Sequence, residues 1–600
     1  MVSVSPRLKD CLEDDEQDSV DPRFVFGFRS VSLDSSGYEQ YEQDDHRPWS
    51  AGGDPTANRK KQRLRQSSQR LEQLETFQYR TCADGNLFRL FELYPGVGGR
   101  PVEGRLSFEH SNRVERDYTC LSYCWGDIVE RPVDIVCDGF KLPVTSNLLA
   151  ALQCLRKPKS SFYIWCDQLC INQADLNECS RQVAIMHDIF SQAKDVIVWL
   201  GEEDDKSGKL CEYARKMRRG EDSPKQTLKR ILTPRQLQDA IQKLLQRPWF
   251  QRVWTIPEVA NARFTIVQIG NDQLSWDNFV RLIKDVPLPP AGGFDKQAAL
   301  LGNPRQRIAI LSQMSASQKA GLRHTDITQL LILGKASKAS FDLDYVYAFY
   351  GLTWLRTFPD YQMPTEVLYA EIIQYYVNSI RWDASYSNVH DLSEDRRTHQ
   401  LMSVLYSAGA LHQHYTLPSW IPDWTFGWHL APIWCRASSN IVTASGKDEW
   451  SAGVRCDFRA GGRECGEFDV LPGPFGMHKL RVSLIIFDTI TITSETTPAS
   501  TPGAEVNSAM QPDPTMRYGR AFLRTAKGYI GLATPGIEAG DDVAVLLGGD
   551  VPVVIRPCGN HDPDTRAYKL LCETFLLDEG VMHGDIVRET WPLAEDVVFL

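Results

Sequence analysis

Two patterns of hydrophobic positions follow one another between residues 163 and 201. Short apolar runs at 163–165 and 196–200 are rich in β-branched and aromatic residues and are bounded by polar residues or glycine, which predicts buried strands. Between these runs, apolar residues recur at three- and four-residue spacing, which predicts a helix with one face against a sheet. That face consists of Val183, Met186, Ile189, Phe190 and Ala193. The segment is therefore predicted to form a β-α-β unit.

The same patterns extend to both sides of this unit. LFRLFELYPG from residue 87 and YTCLSYCWG at 118–126 are predicted strands, and VDIVCDGFKLPV from residue 133 is a predicted hairpin. The amphipathic run that follows opens with Thr145 and Ser146 as candidate N-caps and predicts a helix. Because strands alternate with helices, the expected fold class is α/β, a sheet sandwiched between helices.

The remaining pattern divides the chain into further regions. LDYVYAFYGL and TEVLYAEIIQYYVNSI are the clearest predicted helices after residue 286, and GGD between two apolar runs predicts a hairpin near the C-terminus. A Pro-rich stretch near 494–515 predicts a disordered loop. The predicted regions are a disordered acidic and basic tail with a leading helix at 1–75, an α/β domain at 76–285, a mainly helical region at 286–430 and a small β-rich C-terminal domain at 431–600.

Composition narrows the classes of function. Hydrophobic residues make up 42% of the 600 positions, charged residues 24%, and the net charge is −11, as in a soluble protein with an acidic surface. General nucleic-acid binding is not expected, because neutralising phosphates requires a clustered positive field, and the basic run RKKQRLR at 59–65 is read as a solvated helix face or tail. Neither a signal peptide nor a membrane-spanning run is found, so we expect no membrane contact and a cytoplasmic location.

The cysteines favour buried, reduced thiols over a metal site. The 15 cysteines are scattered, and most fall inside apolar strand or helix patterns. Cys166 and Cys170 lack the second pair of ligands at short spacing that tetrahedral zinc requires, so no metal site is predicted.

Polar residues after the predicted strand at 163–165 are candidates for binding. Asp167, Asn172 and Gln173 fall in the loop beyond its carboxyl end, where α/β sheets usually meet ligands. A plainer alternative is that Asp167 accepts a hydrogen bond from a backbone N–H and that Asn172 forms the turn. Asp175 and Glu178 are spaced as a capping box that begins the following helix.

Three segments in this order resemble the fungal heterokaryon incompatibility (HET) domain family: YTCLSYCWGD at 118–127, WCDQLCINQADLNECSRQVAIMHDIFSQAKDVIVWLG at 165–201 and RPWFQRVWTIPEVANAR at 247–263. Together they define core motifs at 118–263. LPSWIPDW at 417–424 and the C-terminal strands resemble the flanks of long members. The chain departs from the family pattern at Cys120, Cys179 and Pro257, and an entry motif of the type acidic-Pro-Arg-acidic is reduced to FDLD at 341–344.

The resemblance implies a role in fungal nonself recognition and programmed cell death, with an incompatibility partner that the sequence does not identify. It also implies a Toll/interleukin receptor (TIR)-like, flavodoxin-like sheet with flanking helices. TIR domains have a strand that ends in Ser-Tyr and a Trp followed four residues later by Glu, and this chain has Ser122 with Tyr123 and Trp254 with Glu258. In catalytic TIR domains that Glu supports cleavage of the nicotinamide–ribose bond of NAD, so NAD is a candidate substrate and no cofactor is required.

This resemblance suggests a role for each residue around Glu258. An ionised carboxylate would stabilise the positive charge that develops on the ribose. Trp125 or Trp254 could cover the flat base, Asn172 or Gln173 could hold hydroxyl or amide groups, and Arg252 could pair with the pyrophosphate.

A structural role is the alternative for several of these residues. Thr255 and Glu258 also have the spacing of a capping box, so Glu258 could simply begin a helix. Trp125, Trp165, Trp199 and Trp254 could be core residues, given the area an indole buries.

Two hypotheses for function remain open from the sequence. One is a death effector that cleaves NAD, with activity controlled by self-association through the HET domain. The other is a non-enzymatic signalling or scaffold module that works by oligomerisation. The sequence shows no nucleophile–base pair and no metal-binding cluster, which favours this hypothesis.

Overall fold

A computed structural model describes residues 73–600 apart from gaps at 83, 98–99, 127–131, 220–232, 286–303, 321–329, 331–332, 354–357, 382–393, 428–432, 434–457, 463–465, 473–477, 495–518, 560–565 and 591–592. The predicted tail and leading helix, including RKKQRLR, lie outside the described residues except for 73–75. Nearly all of the predicted loop near 494–515 lies outside them as well.

The first sheet has nine strands in the order β5-β4-β2-β1-β6-β3-β7-β8-β9. Their bounds are β1 Leu87–Leu93, β2 Glu103–His110, β3 Tyr118–Ser122, β4 Val133–Cys137, β5 Phe140–Val144, β6 Phe162–Trp165, β7 Asp195–Trp199, β8 Thr265–Ile269 and β9 Asp272–Ser275. Antiparallel pairs join β1 to β2 and β6, β4 to β5, and β8 to β9, so the sheet is mixed.

The centre of this sheet consists of four neighbouring parallel strands, β6, β3, β7 and β8. Numbered by their order in the chain, they lie in the order 2-1-3-4. All five residues of β3 are buried, as expected of a strand covered on both faces. Because parallel strands share a direction, the residues that follow β3 and β6 emerge at the same edge of the sheet.

The predicted hairpin at one end of the sheet is confirmed. Strands β4 and β5 pair in antiparallel register, with Val133 opposite Val144 and Cys137 opposite Phe140. The two turn residues, Asp138 and Gly139, have φ angles of 52° and 83°. Positive φ at both positions is the geometry of a type I′ turn, whose twist matches that of the strands.

Helices flank this sheet and pack on it through two clusters of buried apolar side chains. Their bounds are α1 Ser146–Leu155, α2 Asp167–Cys170, α3 Leu176–Gln192, α4 Asp205–Arg219, α5 Pro234–Leu245, α6 Thr255–Ala260 and α7 Trp276–Asp285. The predicted N-cap Thr145 accepts a hydrogen bond from the backbone N–H of Leu148 at 3.3 Å. The predicted apolar face of α3 is buried, and α3 connects β6 to β7 as the β-α-β prediction requires.

The described part of the region after the sheet combines helices with turns, and its residues 408–427 contain neither helix nor strand. Its helices are α8 Pro304–Lys319, α9 Asp344–Tyr347, α10 Thr365–Arg381 and α11 Glu394–Ser407. TEVLYAEIIQYYVNSI forms α10 as predicted, whereas LDYVYAFYGL forms only the four-residue α9 and a 3-10 turn at Tyr350–Leu352. Gly351 in this turn packs against α3, where an added Cβ would lie 2.3 Å from the Cβ of His187.

The C-terminal region forms a second, closed sheet. Its strands are β10 Phe468–Leu471, β11 Lys479–Ser494, β12 Ala521–Thr525, β13 Ile530–Ala533, β14 Asp542–Leu546, β15 Val553–Pro557, β16 Ala567–Leu576 and β17 Glu595–Phe599, and α12 Glu579–Met582 and α13 Asp585–Thr590 lie between the last two. β11 pairs with both β12 and β14, so β11-β12-β13-β16-β15-β14 close into a ring. The predicted GGD hairpin joins β14 to β15.

One continuous apolar core connects these parts. Its buried residues come from the first sheet, from the helices after it and from the closed sheet. The second core cluster packs α4, α5, α7 and α8 against the first sheet near β8. Among the described residues, no helix has both the length and the apolar character needed to cross a bilayer.

Candidate functional site

A cavity of about 50 Å³ lies beyond the carboxyl ends of β3 and β6. Three sets of residues line it: side chains that follow these strands, side chains of α6 and the turn before it, and side chains from the region around α9. Six of the predicted site residues line this cavity: Trp125, Asp167, Gln173, Arg252, Trp254 and Glu258. Ser122, Tyr123 and Asn172 do not line it.

Glu258 projects from α6 toward the end of β3. Its carboxylate accepts a hydrogen bond from the hydroxyl of Ser122, which in turn accepts one from the indole N–H of Trp249 at 2.8 Å. The Glu258 side chain is only 5% exposed, and Ser122 is fully buried. The capping-box alternative for Glu258 is wrong, because Thr255 lies inside the helix and donates its hydroxyl to the carbonyl of Arg252 at 2.8 Å.

The environment of Glu258 changes its protonation. Burial raises the pKa of Glu258 from 4.5 to about 8, and the positive charge of Arg252 and the hydrogen bond from Ser122 only partly oppose this effect. At neutral pH the Glu258 carboxyl group is therefore mostly protonated. In that state it can donate a hydrogen bond into the cavity, and it carries no charge.

A second acidic residue, Asp344 of α9, lines the same cavity. Its side chain is 1% exposed and accepts hydrogen bonds from the hydroxyl of Tyr361, at 2.8 Å, and from the indole of Trp254. Burial raises the pKa of Asp344 to about 6, and these hydrogen bonds limit the rise. Asp344 was not among the predicted site residues, although it lies in the altered FDLD motif.

Asp167, Trp125 and Gln173 form one polar wall of the cavity. The indole of Trp125 donates to Asp167 Oδ2 at 2.8 Å, and the backbone N–H of Gln168 donates to Asp167 Oδ1 at 2.8 Å. The side-chain amide of Gln173 donates to the carbonyl of Asp167 at 2.9 Å. The alternative in which Asp167 accepts from a backbone N–H is confirmed, and its carboxylate lines the cavity as well.

Two predicted ligand-binding residues have structural positions outside the cavity. Asn172 Oδ1 accepts from the backbone N–H of Ala174 at 3.3 Å, which confirms the turn interpretation. Tyr123 is 2% exposed, and its hydroxyl lies 3.5 Å from Gln168 Oε1. Neither side chain reaches the cavity because each is held by the loop and helix that follow β6.

Arg252 connects the turn before α6 to the end of β3. Its guanidinium donates to the carbonyl of Tyr123, and it also lines the cavity. Arg307 of α8 fixes the same turn, because it donates to the carbonyl of Arg252, to Thr255 Oγ1 at 2.9 Å and to Ser337 Oγ at 2.7 Å. Arg307 was not predicted as a site residue either, because it lies 49 positions after Glu258 and belongs to none of the recognised motifs.

The tryptophans divide between the core and the cavity. Trp165 and Trp199 are buried in the core, as the structural alternative predicts. Trp125 and Trp254 are half-buried and line the cavity. An aromatic face is therefore available to a ligand at this site.

Glu178 does not serve as a helix cap through its side chain. Asp175 caps α3 by accepting from the backbone N–H of Glu178 at 3.0 Å, which confirms half of the predicted capping box. The Glu178 carboxylate instead pairs with Arg89 of β1, and these side chains are 1% and 3% exposed. Glu178 also accepts from the backbone N–H of Asn172 at 2.7 Å, so this buried pair fixes the loop after β6.

Comparison with known proteins agrees with the motifs. The family model "Heterokaryon incompatibility protein (HET)" matches residues 118–258, and the model "Het-6 beta-barrel domain" matches residues 509–591. Heterokaryon incompatibility protein 6, OR allele, from Neurospora crassa is 30% identical over 194 residues. That alignment covers 26% of this chain and 28% of the Neurospora protein. No solved structure matches the chain. The chain therefore contains a region, residues 118–258, that matches the heterokaryon incompatibility (HET) domain family, and a C-terminal region, residues 509–591, that matches the Het-6 β-barrel domain.

Proposed function

We propose that this protein acts in fungal nonself recognition, as an effector of heterokaryon incompatibility and cell death. The match of the HET model to residues 118–258 and the similarity to the Neurospora crassa incompatibility protein support this proposal. The protein would act in the cytoplasm and become active through self-association. The partner that triggers it would be the product of an incompatible gene.

The core of the HET domain is proposed to be TIR-like, with a flavodoxin-like sheet. The order 2-1-3-4 of the four parallel strands supports this likeness, because flavodoxin-like sheets begin in that order. Ser122 ends the first of these strands, and Glu258 lies in the connection from the third to the fourth. Ligands of such sheets bind beyond the carboxyl ends of the strands, which is where the cavity lies.

The proposed chemistry is hydrolysis of the nicotinamide–ribose bond of NAD. The hydrogen bond between Ser122 and Glu258 at the cavity is the observation that carries this proposal, because it joins the two motif segments that resemble TIR domains. In this role the protonated Glu258 would donate a hydrogen bond to a ribose hydroxyl. Trp125 and Trp254 would cover the nicotinamide ring, and both line the cavity.

The size of the cavity restricts how NAD would bind. A volume of about 50 Å³ has room for a few water molecules, each of which needs roughly 10–15 Å³ on the same measure. A dinucleotide is far larger, so only its nicotinamide–ribose end would enter, and the half-buried Trp125 and Trp254 would have to move apart. Such closure in the resting state would keep the enzyme inactive until assembly opens the site.

Release of nicotinamide from NAD by the full-length protein tests this proposal. We expect turnover that rises with protein concentration, and a loss of about 100-fold or more in Glu258→Ala, as for removal of a key polar group in an active site. The matched control is Glu115→Ala, because the Glu115 side chain is 71% exposed and does not line the cavity. Absence of nicotinamide release at every concentration, or an unchanged rate in Glu258→Ala, would contradict the proposal.

A non-enzymatic association module is the second candidate, and the small volume of the cavity favours it. In that case Glu258 and Ser122 only fix α6 against the sheet. Cell killing would then survive Glu258→Gln, which keeps the size of the side chain, while substitutions on the surface used for self-association would abolish killing. Measuring killing and NAD content in the same cells separates the two candidates.

A further inference from the structure

We propose that Asp344 is the ionised carboxylate of this cavity, and that it accepts the proton of the attacking water when the nicotinamide–ribose bond is cleaved. This inference rests on the NAD hydrolysis proposed above and assigns a residue outside the matched HET segment to that reaction. Asp344 lies 86 positions beyond Glu258, in α9. The site would therefore be completed by the region that follows the α/β sheet.

The hydrogen bonds around Asp344 favour its ionised form. Tyr361 donates its hydroxyl to Asp344 Oδ1 at 2.8 Å, and the indole of Trp254 donates to the same carboxylate. An indole N–H can only donate, so the partner of Trp254 must supply a lone pair. Two donors aimed at one carboxylate stabilise its negative charge.

Glu258 lies in a different environment on the same cavity. Its carboxyl group accepts a hydrogen bond from the hydroxyl of Ser122, and that hydroxyl itself accepts one from the indole N–H of Trp249. The pKa of Glu258 is raised to about 8, and that of Asp344 to about 6. Two acids whose pKa values are pushed apart in one site can take different roles at one pH. Near pH 7 Asp344 would carry the charge and Glu258 the proton.

Several other ionisable groups face Asp344 or share the cavity with it. Arg252 stabilises the ionised form of Asp344, and ionisation of Cys179, Tyr361, Tyr345 or Tyr347 would oppose it. Burial raises the pKa of Cys179 and of Tyr347 to about 12, and that of Tyr361 well above its ordinary value. These thiol and phenol groups are therefore neutral where Asp344 titrates, while Asp167 and Glu258 are the other acids that line the cavity.

The proposed step is a hydrolysis and requires no other reactant. The bond between the ribose C1′ and the nicotinamide nitrogen breaks, and its electron pair neutralises the positive ring nitrogen. The oxygen of water forms a bond to C1′, and its proton passes to Asp344 and then to solvent. Ionised Asp344 also stabilises the positive charge that develops on the ribose. The products are nicotinamide, ADP-ribose and one proton.

The test compares Asp344→Asn with Asp342→Asn in the full-length protein. The second variant is a matched control, because Asp342 lies two residues away and accepts from the hydroxyl of Tyr415, outside the cavity. We expect Asp344→Asn to lower kcat by about 100-fold or more, with a smaller change in KM, and Asp344→Glu to restore part of the rate. The rate of the unsubstituted protein should rise as the pH passes about 6, and Asp344→Asn should lack this rise.

The possible results separate this inference from the NAD reaction itself. Turnover that survives Asp344→Asn with its rise near pH 6 overturns the role of Asp344 and leaves NAD hydrolysis standing. Absence of turnover in the unsubstituted protein overturns NAD hydrolysis and the base role with it. The ionisation of Asp344 is measured independently by the ¹⁵N NMR chemical shift of the Trp254 indole, whose signal is assigned with the variant Trp254→Phe. A titration of this chemical shift centred near pH 6 that disappears in Asp344→Asn supports the ionised carboxylate. A chemical shift that does not change with pH in this range overturns it.

Discussion

At the scale of single residues, Glu258 makes the stability of the fold depend on pH. Its pKa rises from 4.5 to about 8 on folding, so the folded protein keeps a proton that the unfolded chain loses. The stabilisation is complete below pH 4.5 and is lost as the pH rises through about 8. Glu258→Gln removes this titration, so its Tm should fall less between about pH 5 and about pH 8 than that of the unsubstituted protein. Scanning calorimetry measures this difference, and equal falls would contradict the assignment.

The buried pair of Arg89 and Glu178 gives a second prediction at this scale. Glu178→Ala leaves the guanidinium of Arg89 buried without its carboxylate, and we expect a loss of about 3–5 kcal/mol in the free energy of unfolding. Glu115→Ala is the control, because its ion pair with Arg113 is exposed and should contribute less than about 1 kcal/mol. Denaturant unfolding measures both. Similar losses of unfolding free energy in the two variants would mean that burial of an ion pair does not determine how much its removal destabilises the fold.

Residue roles were the part of the site that the sequence predicted least well. Thr255 and Glu258 have the spacing of a capping box, and only the position of Ser122, 136 residues earlier, directs Glu258 away from the helix end. Glu178 also has the spacing of a capping box with Asp175, but its carboxylate accepts a hydrogen bond from Arg89, which lies 89 residues earlier. Local spacing predicts local hydrogen bonds, so it fails where a distant charged or hydroxyl group competes.

At the scale of elements, the turn between β4 and β5 gives a prediction that depends on backbone conformation alone. Gly139 has a φ of 83°, and an added Cβ would meet no atom within 4 Å. Gly139→Ala should therefore destabilise the protein by about 1 kcal/mol, purely through the cost of a left-handed conformation. Gly85→Ala is the matched control, since that site has equal space and no positive φ. Thermal unfolding measures both, and equal effects would rule out this cause.

Elements defined by their own residues were predicted well. Strands β1, β3, β6 and β7, and helices α1, α3 and α10, were predicted from apolar runs and periodicity, and each is present. LDYVYAFYGL was predicted as one helix, but its α-helical part is only Asp344–Tyr347, and Gly351 further along packs closely against His187 of α3. Asp344 is the first residue of this short helix, and its side chain lines the cavity. The motif itself was noticed in the sequence, but its position against Trp254 depends on tertiary packing.

At the scale of the whole molecule, the cavity combines two regions of the chain. Trp125, Asp167 and Glu258 come from the segment that matches the HET model, and Asp344 and Tyr361 come from beyond it. The helices after the sheet also share an apolar core with the closed C-terminal sheet. The backbone N–H of Ala410 joins the two parts directly, because it donates to the carbonyl of Leu570 in β16 at 2.8 Å.

This composite construction predicts how a shortened protein will behave. A fragment of residues 76–285 keeps Ser122 and Glu258 but lacks Asp344 and Tyr361, and it exposes apolar side chains that α8 and α9 cover in the full chain. We expect it to aggregate or self-associate non-specifically in gel filtration and to release nicotinamide at least about 100-fold more slowly than the full-length protein, because Asp344, the proposed acceptor of the water proton, is missing. The comparison requires equal concentrations of folded protein, measured by circular dichroism. A monomeric fragment with the full rate would mean that the α/β region alone forms the complete site, and that α9 only packs against it.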